Sequence, residues 1–148
     1  MPSGRRHEIV EIVRKYGLFV IEDDVYGYLA PETRPLFDDF PPDRAVYLTS
    51  LAKAITPGLR VGYVRASVGL RERLEAASHW TVIDPAPVMV ELAARVITGG
   101  LADRIVEWKR SETSARQDIA ARVLSKFRCQ ASPMSPHLWL HLPEGWSS

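Results

Sequence analysis

Residues 47–63 read YLTSLAKAITPGLRVGY. Two short apolar runs flank a turn of small residues. Residues 45–49, AVYLT, include the β-branched Val46 and Thr49 and the aromatic Tyr47, which predicts a strand. Residues 60–65, RVGYVR, predict another. Between them Lys53 stands among alanines and aliphatic residues. An amine in such a setting can be partly desolvated, which lowers its pKa and frees it for Schiff-base chemistry. Ser50 and Arg60 flank it, and a hydroxyl and a planar guanidinium both suit a phosphate. Pro57-Gly58 predicts a tight turn that returns Arg60 toward Ser50. Taken singly, each residue has an ordinary reading, since lysines are commonly solvated charges and arginines surface ion pairs.

Working upstream, Leu18-Phe19-Val20-Ile21 is a continuous apolar run ending in Glu22-Asp23-Asp24. It predicts a strand over 18–21 buried on both faces, as in parallel sheets under helices. Ligand crevices of open α/β sheets lie at the carboxyl ends of strands. Asp23 therefore sits where a functional acid would sit, with Tyr26 three residues on. An acid after a strand is, on its own, more often a turn residue or helix cap, and a tyrosine more often packing. Ahead of this run, residues 3–16 carry Ile9, Val10, Ile12 and Val13 at helical spacing, with Ser3 as candidate N-cap and Gly17 as the stop. Residues 27–44, with Gly27, Pro31, Pro35, Pro41 and Pro42, predict a long surface connection.

Downstream the chain turns helical over 68–78 and 86–98, closed by Gly99-Gly100. A long amphipathic helix is predicted over 101–127, with Leu101, Ile105, Trp108, Ile119, Val123 and Leu124 as apolar contacts. The alternating charges of residues 103–118 read as its solvated face. Residues 137–142, HLWLHL, alternate as a half-buried strand does, in a second small sheet. The order of elements is an α/β layer followed by an α+β piece.

Composition narrows the function classes. The 148 residues are 46% hydrophobic and 25% charged, with 19 Lys+Arg against 18 Asp+Glu. A formal charge of +1 argues against a polybasic nucleic-acid or membrane surface. There is no apolar run long enough to cross a membrane and no signal-peptide pattern at residues 1–13. A lone Cys129 excludes an internal disulfide framework and a cysteine zinc cluster, reads as a buried thiol, and leaves a reducing cytoplasm as the expected setting. His137 and His141 share a strand face, but with no third ligand in view no metal is expected. Trp80, Trp108, Trp139 and Trp146 read as core or interface residues.

Together, LFVIEDDVY over 18–26 and YLTSLAKAITPGLRVGY over 47–63 resemble the fold type I pyridoxal-phosphate aminotransferases of class I/II. That family pairs a strand ending in D-x-x-Y with S-x-S-K-x-x-x-P-G-x-R-x-G-Y. Here Asp23 and Tyr26 match the first motif. Ser50, Lys53, Pro57, Gly58, Arg60, Gly62 and Tyr63 match the second, with Ala52 where many members carry serine. The resemblance implies a cofactor, pyridoxal 5'-phosphate. It implies that Lys53 forms the Schiff base and shuttles the substrate proton, that Asp23 pairs with the pyridine nitrogen, and that Tyr26 donates to the ring oxygen. Ser50 and Arg60 would hold the phosphate. The implied fold is α/β: part of an aminotransferase large domain, with a mixed, mostly parallel sheet, over 1–100, then a linking helix and the start of an α+β small domain over 101–148.

The string SPHLWLHLPEGW over 135–146, with RIVEWKR over 104–110, most resembles the MocR-type subgroup of GntR regulators. Those fuse a winged helix-turn-helix to an aminotransferase-like domain. Two functions follow from the resemblance. One is amino-group transfer between an amino acid and a 2-oxo acid; the other is a cofactor- or effector-sensing domain whose DNA-binding partner domain is missing. The chain covers less than half of the family domain and is expected to be a fragment, inactive alone. The phosphate loop and the arginine for the substrate carboxylate are expected outside it. The full-length protein is expected to be a homodimer, with His79-Trp80 near its interface.

Overall fold

The computed structural model describes residue 1 and residues 3–30, 33–81, 84–143 and 145–146. Helix α1 (Ser3–Tyr16) leads into strand β1 (Val20–Asp23), and two 3-10 turns (Gly27–Leu29 and Leu36–Asp39) cross to β2 (Ala45–Ser50). The short α2 (Leu51–Ala54) and a 3-10 turn (Pro57–Leu59) then lead to β3 (Gly62–Ala66). Helices α3 (Val68–Thr81), α4 (Pro87–Thr98) and α5 (Leu101–Val123) follow, then β4 (Cys129–Ala131) and β5 (Leu138–Leu140).

The first sheet runs β1-β2-β3. β1 and β2 are parallel from Val20↔Ala45 to Asp23↔Leu48, and β2 and β3 antiparallel from Val46↔Ala66 to Ser50↔Gly62. One face of this sheet carries the core. Val10 and Val13 of α1 pack with Phe37, Phe40 and Ala45, and Ile9, Val20, Leu36 and Tyr47 close around them. Each buried valine or phenylalanine there stabilises the fold by about 1.5–3 kcal/mol. The Glu22 carboxylate faces the same side and accepts the backbone N–H groups of Leu36 (2.9 Å) and Phe37 (2.6 Å). It thereby ties the Leu36–Asp39 turn to β1.

The strand expected over 18–21 lies two residues later, and the reason is local. Gly17 adopts φ +58°, and behind it Leu18 N–H donates to Val13 O at 3.0 Å, closing the helix. Leu18 is thus committed to α1, and sheet pairing starts when Val20 N–H donates to Arg44 O at 2.8 Å. The strand is also covered on one face only: Phe19 is 52% and Ile21 63% exposed. They open, with Val64 and the α3 residues Leu70 and Leu74, onto an apolar cleft of about 540 Å³.

Three further expectations change. Helix α5 ends at Val123, not at 127, because residues 124–126 form a turn. It buries no residue fully: Trp108, Ile119 and Val123 are exposed, and the helix packs instead against α4, α2 and the Gly27–Leu29 turn. All four tryptophans are exposed, so none is a core residue here. Cys129 is half-buried rather than buried, because it lies on the two-stranded sheet formed by β4 and β5. That second sheet was expected from the alternation in 137–142; its β4 partner was not. No helix among the described residues is long and apolar enough to cross a membrane.

Candidate active site

The candidate residues gather at the carboxyl ends of the parallel strands. Asp23 ends β1 opposite Leu48, and Ser50 ends β2 two residues further on. The two-residue period puts Asp23 and Ser50 on one sheet face, the face that bears Ile21. Asp23 is exposed, and its Oδ1 accepts Val25 N–H at 3.3 Å. Asp24 points to other work. Its carboxylate accepts the Tyr47 phenol at 2.9 Å, its N–H donates to Leu48 O at 2.9 Å, and its carbonyl accepts the Thr49 hydroxyl at 3.3 Å. Burial, and next the bond to Asp24, pushes the Tyr47 phenol up to about 12. Asp24 therefore locks β1 to β2 and leaves Asp23 as the acid at the strand end.

Tyr26 precedes the Gly27–Leu29 turn. The Lys53 ammonium stands 5.9 Å from its ring centroid, and the His137 ring meets it edge-on at 5.1 Å. Lys53 is exposed on α2, which corrects the expectation of a desolvated amine: its neighbours Ala52 and Ala54 are too small to cover it. Among the described residues the Lys53 ammonium makes no hydrogen bond or ion pair. The same holds for the Ser50 hydroxyl and the Arg60 guanidinium.

Arg60 is the one described non-glycine residue with positive φ, at φ 52° and ψ 30°. It follows the Pro57–Leu59 turn, whose Thr56 Oγ1 accepts Gly58 N–H at 3.5 Å. Leu51 N–H then donates to Val61 O at 3.1 Å, and Gly62 pairs with Ser50. The turn thus brings the chain back to the end of β2, as the Pro57-Gly58 pair predicted. A left-handed arginine stores strain of about 1–2 kcal/mol.

Several polar residues around the site were not legible as such. The Tyr28 phenol donates to Lys53 O at 3.1 Å, and burial, with Tyr26 second, pushes its pKa up. The Lys109 ammonium donates to Lys53 O at 2.8 Å and to Ile55 O at 3.2 Å, and burial pushes its pKa down. Arg110 Nε donates to Tyr28 O at 2.7 Å. Gln117 Nε2 donates to Ser135 O at 2.6 Å and His137 O at 3.3 Å. The charges of 103–118 are therefore not all a solvated face: Lys109 and Arg110 turn inward because unpaired carbonyls await them. Lys109 and Arg110 lie inside the RIVEWKR string and His137 inside SPHLWLHLPEGW, and Tyr28 follows Tyr26 by two residues, but none of these patterns marks a contact to a backbone carbonyl.

The strand ends thus carry an acid, a lysine without a hydrogen bond or ion pair among the described residues, a hydroxyl and a left-handed arginine, groups whose chemistry suits a carbonyl and an anion. The chain belongs to the aminotransferase class I and II family, whose sequence profile matches residues 5–135. It is 32% identical over 143 residues to the HTH-type transcriptional regulator YdeF of Bacillus subtilis, covering 97% of this chain and 31% of that one. It is 24% identical to aromatic-amino-acid aminotransferase 1 of Thermococcus litoralis, over 98% of this chain and 37% of that one. Among solved structures it is similar to Pyrococcus horikoshii kynurenine aminotransferase, solved with PMP and kynurenine. The TM-score is 0.84 at 25% identity, over 99% of this chain and 38% of that one. The chain spans about a third of the length of the curated relatives it matches.

Proposed function

We propose that this chain supplies the lysine-bearing part of a pyridoxal-phosphate site in a protein that transfers amino groups between an amino acid and a 2-oxo acid. One observation carries the reading. Among the described residues the polar heads of Lys53, Ser50 and Arg60 make no hydrogen bond or ion pair, and they lie at the same strand ends as Asp23. That donor set fits the cofactor: an amine for its aldehyde, a hydroxyl and a guanidinium for its phosphate, a carboxylate for its pyridinium. Bound, the cofactor supplies an aldehyde and an electron-accepting ring.

The chain's own residues do the rest. Lys53 would hold the cofactor through its amine and, once that amine is free again, would move a proton at the substrate α-carbon. Asp23 holds a proton on the ring nitrogen. Tyr26 would donate its phenol to the ring oxygen, and Ser50 and Arg60 would bind the phosphate dianion. Residues 1–100 form the end of the cofactor domain, and 101–148 the linking helix and the start of the small domain. The full-length protein is a cytoplasmic homodimer in this reading.

A second reading has its own support in the similarity to YdeF over 97% of this chain. There the same residues bind cofactor and effector within a regulator, and DNA contact belongs to another domain. Absorbance of the full-length protein titrated with pyridoxal phosphate tests the shared step. A visible band that Lys53→Ala abolishes is expected, and its absence from the parent protein overturns the cofactor site. Asp23→Ala should keep most of the cofactor and lose most turnover. Steady conversion of amino acid to oxo acid at substrate excess supports the enzyme; a single turnover with effector-dependent DNA binding supports the regulator.

A further inference from the structure

Helix α2 is one turn long and cannot hold itself. Ile55 N–H and Thr56 N–H both donate to Leu51 O, at 2.8 and 3.1 Å. That leaves the carbonyls of Lys53 and Ile55 without a backbone donor among the described residues. Such orphan carbonyls at a helix end need outside partners. Theirs come from distant segments: the Lys109 ammonium reaches both, and the Tyr28 phenol takes the second lone pair of Lys53 O. Arg110, beside Lys109, holds Tyr28 in turn through its carbonyl. Seven residues on, along the same stripe of α5, Gln117 fixes the turn that sets His137 against Tyr26.

We propose that Lys109 is a positioning residue for Lys53: its ammonium clamps the Lys53–Ile55 turn to α5 and so sets where the Lys53 amine stands over Tyr26. The inference rests on the cofactor reading above and adds a residue to it. A lysine suits the task, because a compact ammonium offers three donors to carbonyls that diverge. Tyr28, Glu112 and Arg116 line the same cavity as Lys109, and Arg116 is already paired with Glu112 at 2.8 Å. Because α5 leads to β4 and β5, a displacement of this helix would reach the amine through Lys109 and the ring of Tyr26 through His137.

The test uses the full-length protein with Lys109→Met, Lys109→Arg and Tyr28→Phe. Two quantities are read. One is the pH midpoint of the visible band formed with pyridoxal phosphate. The other is the acylation rate of Lys53 in cofactor-free protein, followed by peptide mass spectrometry. Lys109→Met and Tyr28→Phe should each move the midpoint by about half a pH unit or more, and the acylation rate by about threefold. Lys109→Arg should restore most of both, since it keeps the charge and donors. An unchanged midpoint and rate in Lys109→Met overturn the proposal. So does a lowered melting temperature with neither quantity moved. Should Lys109→Met fail to fold, an unchanged Tyr28→Phe overturns it equally. A parent protein with no Lys53-dependent band defeats the cofactor reading alone, because the acylation rates still decide the clamp.

Discussion

Arg60 carries two demands that pull apart. Its backbone sits at φ 52°, where glycine is at ease, while the proposed phosphate contact asks for a guanidinium. Arg60→Gly should relieve the left-handed strain and add chain entropy to the unfolded state, so that folding stability changes by less than about 1 kcal/mol. The lost charge-assisted contact, worth about 1.5–3 kcal/mol, should weaken cofactor binding by about tenfold to a hundredfold. Denaturant unfolding of the cofactor-free protein beside a fluorescence titration separates the two; loss of stability with unchanged affinity would reverse the assignment. Tyr47 gives a pH test at the same scale. Its phenol titrates near 10 unfolded and is pushed up to about 12 when folded, so the folded state holds its proton longer. The stabilisation is complete below pH 10 and is lost as pH rises through 12. Tyr47→Phe should flatten that alkaline fall in unfolding free energy. The sequence could single out Lys53, Asp23 and Ser50 because the proposed chemistry constrains residue type and spacing, and the structure sets them at neighbouring strand ends. Tyr28 and Lys109 were not, because they act on backbone carbonyls, which any residue provides.

At the scale of elements, the apolar pattern located α1 and β2, started β3 two residues early because Arg60 closes the Pro57–Leu59 turn, and misplaced β1 by two residues. The apolar run at 18–21 is continuous, so its pattern sets no register. The register follows instead from the helix closure at Gly17 and from Glu22. That carboxylate reaches from β1 to two backbone N–H groups of the Leu36–Asp39 turn. Glu22→Gln retains the shape but offers one neutral acceptor for two donors, leaving a part-buried N–H unpaired. It should cost about 1–3 kcal/mol, read as a lower denaturant midpoint with the slope unchanged. A midpoint within error of the parent would mean that the turn is held by Phe37 and Phe40 packing alone. The same logic explains α5. Its amphipathic pattern announced a helix, and the tertiary carbonyls that draw Lys109 and Arg110 inward lie more than fifty residues away in sequence.

For the whole molecule, the two faces of the first sheet are unequal. One covers Val10, Val13, Phe37 and Phe40; the other leaves Phe19, Ile21 and Val64 exposed around an apolar cleft. A strand run as apolar as LFVI is the composition of a strand covered on both sides, and the chain spans about a third of its curated relatives' length. The 148-residue polypeptide alone should therefore bind a hydrophobic dye and self-associate at micromolar concentration. Ile21→Thr with Val64→Thr, both at exposed strand positions, should reduce both behaviours while leaving helical circular dichroism intact. In the full-length protein the same pair should act oppositely. If the rest of the domain buries this face, each substitution removes about 1–3 kcal/mol of apolar burial and lowers the melting temperature. A pair that is neutral in the full-length protein would show that the cleft stays open there, and that the apolar run at 18–21 serves something other than the domain's own core.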